Sequence, residues 1–194
     1  MQDGEHRDLM IAAIAAEGEA HAALLAGDSE AAAAAYARAV EGYRASWALA
    51  PPKSYGRLVG LLKAAVIGGG AGPAADEVRA ALDGDPDAAG SPVASYVLAV
   101  AALIAGDDDA VAPLAEVMEP RGGAFERTAT ALRALAAGDG AAYAAAATAI
   151  EADFAAREDH LTGVAIADTA IMLELIARER GLAAELDSPL VVMP

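Results

Sequence analysis

Apolar residues recur every three to four positions along most of the chain, within long runs of alanine, leucine, arginine and glutamate. This spacing is typical of amphipathic α-helices, whereas alternation of β-branched and aromatic residues, which indicates a strand, is absent from the sequence. Breaks rich in glycine, proline and aspartate divide the runs. The pattern predicts nine helices, at roughly 5–26, 28–47, 54–67, 73–83, 92–105, 108–118, 124–137, 140–157 and 163–180.

One kind of break occurs three times. Leu-Leu-Ala-Gly-Asp ends at Asp28, Leu-Ile-Ala-Gly-Asp at Asp107 and Leu-Ala-Ala-Gly-Asp at Asp139. The glycine can take the left-handed conformation that ends a helix, and the aspartate can cap the helix that follows. Short connections favour antiparallel packing of successive helices. The sequence therefore predicts a single all-α domain over residues 1–194, built of stacked antiparallel helical hairpins.

The segment 27–40, Gly-Asp-Ser-Glu-Ala-Ala-Ala-Ala-Ala-Tyr-Ala-Arg-Ala-Val, resembles the tetratricopeptide family. Gly27 and Asp28 stand where that family has its turn, and Ala32, Tyr36 and Ala39 match the small–aromatic–small pattern of its second helix. The three Gly-Asp breaks do not follow that family's constant period of about 34 residues. The resemblance implies an irregular, tetratricopeptide-like stack of α-hairpins.

The net charge of −16, from 13 basic and 29 acidic residues, repels the phosphates of nucleic acids. The chain has no cysteine, which argues against a disulfide-stapled secreted domain. Its start lacks the pattern of a secretory signal, and its longest uncharged stretch, 88–106, contains about fourteen continuously apolar residues, too few to cross a bilayer. We expect a cytoplasmic protein that binds neither nucleic acid nor membrane, and the 57 alanines are typical of a GC-rich bacterial genome.

Residues that could carry catalysis or bind a cofactor do not form a recognisable motif. His6, His21 and His160 are far apart in sequence, so the usual zinc-ligand spacings are missing. Glu17 and His21 share a helix face, as a metal-binding pair would, but such pairs are more often surface contacts. The glycine-rich segment 67–73 lacks the Lys-Ser/Thr pair of a phosphate-binding loop. We therefore expect no enzyme activity, no metal and no cofactor.

Charge is distributed unevenly along the chain. Residues 42–75, here called the basic window, contain four cations and no acid, so the rest of the chain carries −20. A helix starting near residue 54 would place Gly56 and Gly60 on its polar face, where each glycine costs up to about 1 kcal/mol relative to alanine. Something is therefore expected to approach that face closely. We predict a groove for an acidic peptide or protein surface, lined by Arg44, Trp47, Lys53, Tyr55, Arg57 and Lys63.

An internal role for the same residues remains open. Gly56 and Gly60 could instead let a neighbouring helix of this chain pack closely, with the cations paired to the chain's own carboxylates. Asp168 raises the same question, because apolar residues surround it on helix 163–180. It is either buried and paired, with Arg133 or Arg57 as the partner, or it lies at the edge of the apolar stripe.

The last third of the chain resembles the C-terminal half of the bacterial polymorphic-toxin immunity family numbered 49. Segment 137–158 contains a Gly-Asp turn and an alanine-rich helix, and segment 167–194 contains a late helix and a closing motif. The resemblance implies a cytoplasmic protein that blocks a toxin by binding it. The residues of the closing motif are Arg180, Gly181, Leu182, Asp187, Ser188 and Pro194.

These observations predict a non-catalytic protein-binding module, with toxin neutralisation as its most specific form. The alternative is a sensor or carrier of a small anionic ligand held between helices, near Arg57 and Lys63. The apolar residues Leu190, Val191 and Val192 are expected to cover the end of the helical stack, either within one chain or in a homodimer.

Overall fold

A computed structural model describes residues 4–194; the first three residues, part of the start considered for a secretory signal, lie outside this range. Within it the chain forms nine α-helices, two short 3₁₀ turns and no strand, which confirms the predicted all-α fold. Among the described residues, none of the helices combines the length and the apolar composition that a membrane crossing requires. The helices are α1 (Glu5–Leu25), α2 (Ser29–Leu49), α3 (Gly56–Ile67), α4 (Ala71–Leu82), α5 (Pro92–Ala105), α6 (Val111–Met118), α7 (Gly123–Ala136), α8 (Gly140–Ala155) and α9 (Asp168–Glu179).

Each helix packs against the next one along the chain, as expected of stacked hairpins joined by short connections. Helix α3 lies at the centre, in contact with α2, α4, α5 and α9. Small residues allow the first hairpin to close tightly: a Cβ atom on Gly42 would lie 2.9 Å from the Cβ of Ala13. Because α9 returns to α3, the end of the chain is packed against its N-terminal half.

The three Gly-Asp breaks end helices as predicted, since Gly27, Gly106 and Gly138 all have φ between 69° and 75°. Asp28 and Asp139 cap α2 and α8, each through a carboxylate oxygen that accepts a hydrogen bond from a backbone amide. The cap predicted for Asp107 is wrong: among the described residues its side chain caps no amide, because a 3₁₀ turn over 108–110 comes before α6. The three breaks therefore share the left-handed glycine, but only two of the three aspartates cap a helix.

Helix α9 begins five residues later than predicted. Gly163 has φ +72°, and the amide of Ala167 donates to the carbonyl of Leu190 (2.8 Å) instead of joining a helix. Residues 156–167, here called the covering segment, run across α1, where a Cβ on Gly18 would lie 2.9 Å from the carbonyl oxygen of Thr162. The late start places Asp168 in the first turn of α9.

The residues after α9 fold back onto the same chain. The buried carboxylate of Glu174 accepts hydrogen bonds from the Tyr143 hydroxyl and from the amides of Ala184 and Glu185, at 2.8–3.1 Å. Arg180 donates to the carbonyl of Leu103 (3.2 Å). Leu190, Val191 and Val192 pack against the core of their own chain. A homodimer stays a prediction.

Candidate functional site: a polar centre between α1, α3 and α9

Four ionisable side chains meet in the interior, where α1, α3 and α9 come together. We call Glu17, His21, Lys63 and Asp168 the polar centre. Glu17 and His21 lie one turn apart on the inner face of α1 and are 2% and 1% exposed. Lys63 comes from α3 and Asp168 from the first turn of α9. Charged groups are seldom this buried unless they are paired or bind a ligand.

Asp168 is nearly buried and paired, and its partner is Lys63. The Lys63 Nζ donates to Asp168 Oδ2 at 2.7 Å, and the two side chains are 14% and 13% exposed. Neither of the partners expected for Asp168 bonds to it. Arg133 pairs with Glu119, and Arg57 donates to Ser46. Although burial opposes ionisation, the Lys63 ammonium keeps the pKa of Asp168 below its ordinary value.

Glu17 is bonded through one oxygen only. The Tyr43 hydroxyl donates to its Oε2 at 2.7 Å, whereas its Oε1 is buried with no hydrogen-bond partner among the described residues. Burial raises the pKa of Glu17 above its ordinary value, against the opposing effect of the nearby Lys63. The result is a carboxyl group with one unsatisfied oxygen in the protein interior.

His21 has the same one-sided bonding. Its Nδ1 lies 3.0 Å from Thr162 Oγ1, and its Nε2 is buried without a hydrogen-bond partner in the part of the chain that the structure describes. Burial lowers the pKa of His21 to about 4, so the imidazole is neutral at pH 7. Thr162 reaches the ring because the covering segment lies directly on Gly18.

One donor atom each from Glu17, His21 and Asp168 lie within 4.8 Å of one another. Two carboxylates and an imidazole are groups that can hold a divalent metal ion. Beside them is a cavity of about 170 Å³ under the covering segment, which could admit a small ligand. Its wall includes His21, Lys63, Arg157, His160, Thr162 and Asp168.

The structure separates the cations of the basic window. Arg44 forms a two-pronged bond to Glu77 (2.7 Å each) and also pairs with Glu41. Arg57 is buried and donates to Ser46 Oγ at 2.7 Å and to His6 Nδ1 at 2.8 Å.

The two lysines of the basic window also lie apart. Lys63 belongs to the polar centre, and Lys53 pairs with Asp87 at the surface (2.9 Å). Each of the four cations therefore has its own partner within this chain.

The glycines and aromatic residues of the basic window also lie partly in the interior and partly at the surface. A Cβ on Gly60 would lie 2.4 Å from the Tyr43 ring, so the close neighbour expected at this glycine is α2 of the same chain. Gly56 is exposed, with no described atom within 4 Å of a Cβ built there. Trp47 is half-buried and packs on Tyr55, with ring centroids 6.2 Å apart, and Tyr55 is buried.

The connection between α2 and α3 is an exposed part of the basic window. Residues 47–54, here called the α2–α3 corner, carry Leu49, which is 52% exposed, and the exposed Lys53. Lys53 follows Pro51 and Pro52 and has φ +68°, a left-handed conformation that few residues other than glycine adopt. Trp47 lies at the base of this corner.

Sequence reasoning singled out all four residues of the polar centre but did not bring them together. The i, i+4 spacing identified Glu17 and His21 as a pair but placed them at the surface, whereas both are buried. Thr162, which is 141 residues from His21, left no signal in the sequence pattern. Comparison of the chain with family models, curated proteins and solved structures finds no match. Both family resemblances therefore stay predictions.

Proposed function

We propose that the protein is a non-catalytic binding protein that recognises another protein through the α2–α3 corner. The observation that carries the proposal is the conformation of Lys53, an exposed residue with φ +68° directly after two prolines. A non-glycine residue in this region costs on the order of 1–3 kcal/mol, and such strain is concentrated at binding and active sites. The prolines restrict the backbone, so the corner is already shaped before a partner arrives.

The chemistry of the corner suits a partner with an acidic group beside an apolar patch. Among the described residues Lys53 pairs only with the exposed Asp87, and an exposed ion pair is worth at most about 1 kcal/mol. Lys53 can therefore exchange Asp87 for a carboxylate of another protein at little cost. Leu49 and the half-buried Trp47 supply the apolar contact, and tryptophan is among the residue types that contribute most to protein interfaces.

The C-terminal resemblance would make the partner a bacterial toxin and the cytoplasm the place of action. The residues that support it run from the Gly-Asp turn at 138–139 to Pro194. This form of the proposal predicts that the gene lies beside that of a large toxin and that its deletion is lethal while the toxin is present. An unrelated gene neighbourhood, or survival of the deletion strain, would refute it.

Protein binding can be tested with matched charge variants. The double variant Leu49→Asp, Lys53→Glu should reduce affinity for a candidate partner, such as a neighbouring toxin, by at least about tenfold. The control is Leu25→Asp with Arg38→Glu, since Leu25 and Arg38 are about as exposed as Leu49 and Lys53 but do not belong to the α2–α3 corner. Circular dichroism tests whether both variants fold. Equal affinity of both variants for the partner would contradict the proposal.

A second candidate function is binding of a small anion in the cavity under the covering segment. The observation in its favour is the position of Lys63, Arg157 and His160 along the wall of this space of about 170 Å³. Native mass spectrometry of freshly purified protein distinguishes the two functions. A retained organic molecule, lost in Lys63→Met, favours the carrier, whereas the bare mass of the chain favours the protein-binding module.

A further inference from the structure

We propose that Glu17, His21 and Asp168 form a binding site for one divalent transition-metal ion. One donor atom from each of the three side chains lies within 4.8 Å of the other two. Metal–nitrogen and metal–oxygen bonds of about 2.0–2.2 Å place the ligand atoms of one ion roughly 3–4.4 Å apart. Side-chain adjustments on the order of 1 Å would therefore bring the three donor atoms to the separations that one ion requires.

The first support is that two of the three ligands carry unsatisfied buried atoms. Glu17 Oε1 and His21 Nε2 are both inaccessible to solvent and form no hydrogen bond with the residues described, on side chains that are at least 98% buried. Each such atom costs about 1–3 kcal/mol. A hydrogen bond between the two would have removed the cost, but they do not make one. A cation bound by both satisfies both.

The second support is that each ligand is oriented by a hydrogen bond to its other polar atom. With the proton on Nδ1 donated to Thr162 Oγ1, the imidazole of His21 presents the lone pair of Nε2. The Tyr43 hydroxyl holds Glu17 through Oε2, and the Thr169 amide holds Asp168 through Oδ1 (2.6 Å). Each ligand thus has one atom fixed by a protein group, as is usual around metal sites.

The donor set selects the class of metal. A neutral imidazole with two carboxylates suits Zn²⁺, Mn²⁺, Fe²⁺ or Co²⁺, whereas Ca²⁺ and Mg²⁺ prefer oxygen ligands alone. Three protein ligands leave at least one coordination position, and the adjacent cavity of about 170 Å³ gives a water molecule or a small ligand access to it. The ion would connect the first helix of the chain to the last.

Lys63 is the competing cation in this arrangement. Its ammonium group is bonded to Asp168, and it repels an ion placed beside that carboxylate. Lys63 also lines a second cavity of about 160 Å³, next to Val59 and Phe125, so its side chain has space to turn away when the metal binds. Removing the ammonium group should therefore strengthen metal binding, which a purely structural role of the polar centre does not predict.

The first experiment uses the wild-type chain, stripped with a chelator and titrated with Zn²⁺ in competition with a chromophoric chelator. We expect one Zn²⁺ per chain, and the Co²⁺ derivative should show the visible absorption of a site with one nitrogen ligand from histidine. Absence of stoichiometric binding, or coordination by more than one imidazole, would overturn the proposal. Both readouts come from a chain that folds, so neither depends on the stability of a variant.

The second experiment assigns the ligands. His21→Gln and Glu17→Gln should weaken Zn²⁺ binding by at least about tenfold, and Lys63→Met should strengthen it by a similar factor. His160→Gln is the matched control, because His160 lines the same cavity but does not belong to the three-ligand cluster. Equal losses in His160→Gln and His21→Gln, or weaker binding in a Lys63→Met protein whose circular dichroism is that of the folded wild-type chain, would refute the site. Neither result bears on the α2–α3 corner, so the two proposals fail separately.

Discussion

Replacing Lys63 with methionine should reveal how strongly the interior depends on its ion pair. At the observed 2.7 Å, two unit charges attract by about 6 kcal/mol for an effective dielectric constant of about 20. Burial costs each ion several kcal/mol, so the intact pair contributes little net stability. Lys63→Met leaves the carboxylate of Asp168 buried and uncompensated, which costs about 3–5 kcal/mol of unfolding free energy.

The assay is urea unfolding at pH 7 in the presence of a chelator, followed by circular dichroism. Lys63→Met, Asp168→Asn and the double variant form a double-mutant cycle, and asparagine keeps the oxygen that accepts from the Thr169 amide. We expect the double variant to lose less stability than the sum of the single losses, by at least about 2 kcal/mol. Lys53→Met is the control, since its exposed pair with Asp87 should contribute at most about 1 kcal/mol.

Two results would refute this reasoning. If Lys63→Met destabilises the protein no more than Lys53→Met does, the polar centre is as well hydrated as the surface. If the losses in the cycle are additive, Lys63 and Asp168 do not interact in solution. Either outcome would contradict the low exposure of the two side chains, 14% and 13%.

Three further predictions concern stability. Gly60→Ala should lower the free energy of unfolding by about 1–3 kcal/mol, because the new Cβ would lie 2.4 Å from the Tyr43 ring. Gly56→Ala, at an open position, should raise it by about 0.4–1 kcal/mol. Equal urea midpoints for the two variants would contradict this prediction. His21 has a folded pKa of about 4 against 6.5, so the folded state binds fewer protons, and metal-free protein should lose up to about 3 kcal/mol as the pH falls from 6.5 to 4. That loss should be missing in His21→Gln. Glu174→Leu removes three hydrogen bonds and should make the C-terminal residues at least several-fold more sensitive to limited proteolysis, as judged by gel.

The helices were predictable because their signals are local. Apolar spacing and the glycine breaks lie within a few residues of the helix ends that they determine, so most predicted ends fall within about two residues of those observed. Helix α6 begins three residues later than predicted, and the largest exception is the start of α9. It depends on a bond between the amide of Ala167 and the carbonyl of Leu190, which local sequence does not reveal.

The polar centre was only partly predictable because α3 is central. A helical projection assumes one buried face and one exposed face, and on that assumption Arg57, Gly60 and Lys63 belong to the exposed one. In the structure α3 is covered by four helices, so Arg57 and Gly60 are buried and Lys63 is nearly so. The choice of Lys63 as the partner of Asp168 depends on how helices 105 residues apart are packed.

The separation of the polar centre along the chain has a consequence for the order of folding. The first hairpin, α1 with α2, can close as soon as it leaves the ribosome, because its contacts are local. At that stage the covering segment over Glu17 and His21 has not been synthesised. Lys63 has no ion-pair partner until Asp168 is made, 105 residues later. Thr162 and Asp168 arrive together, within seven residues of each other. A nascent or truncated chain that ends before Thr162 therefore lacks both the hydroxyl that bonds His21 and the carboxylate that pairs with Lys63, and the polar centre is completed only after the last helix has left the ribosome.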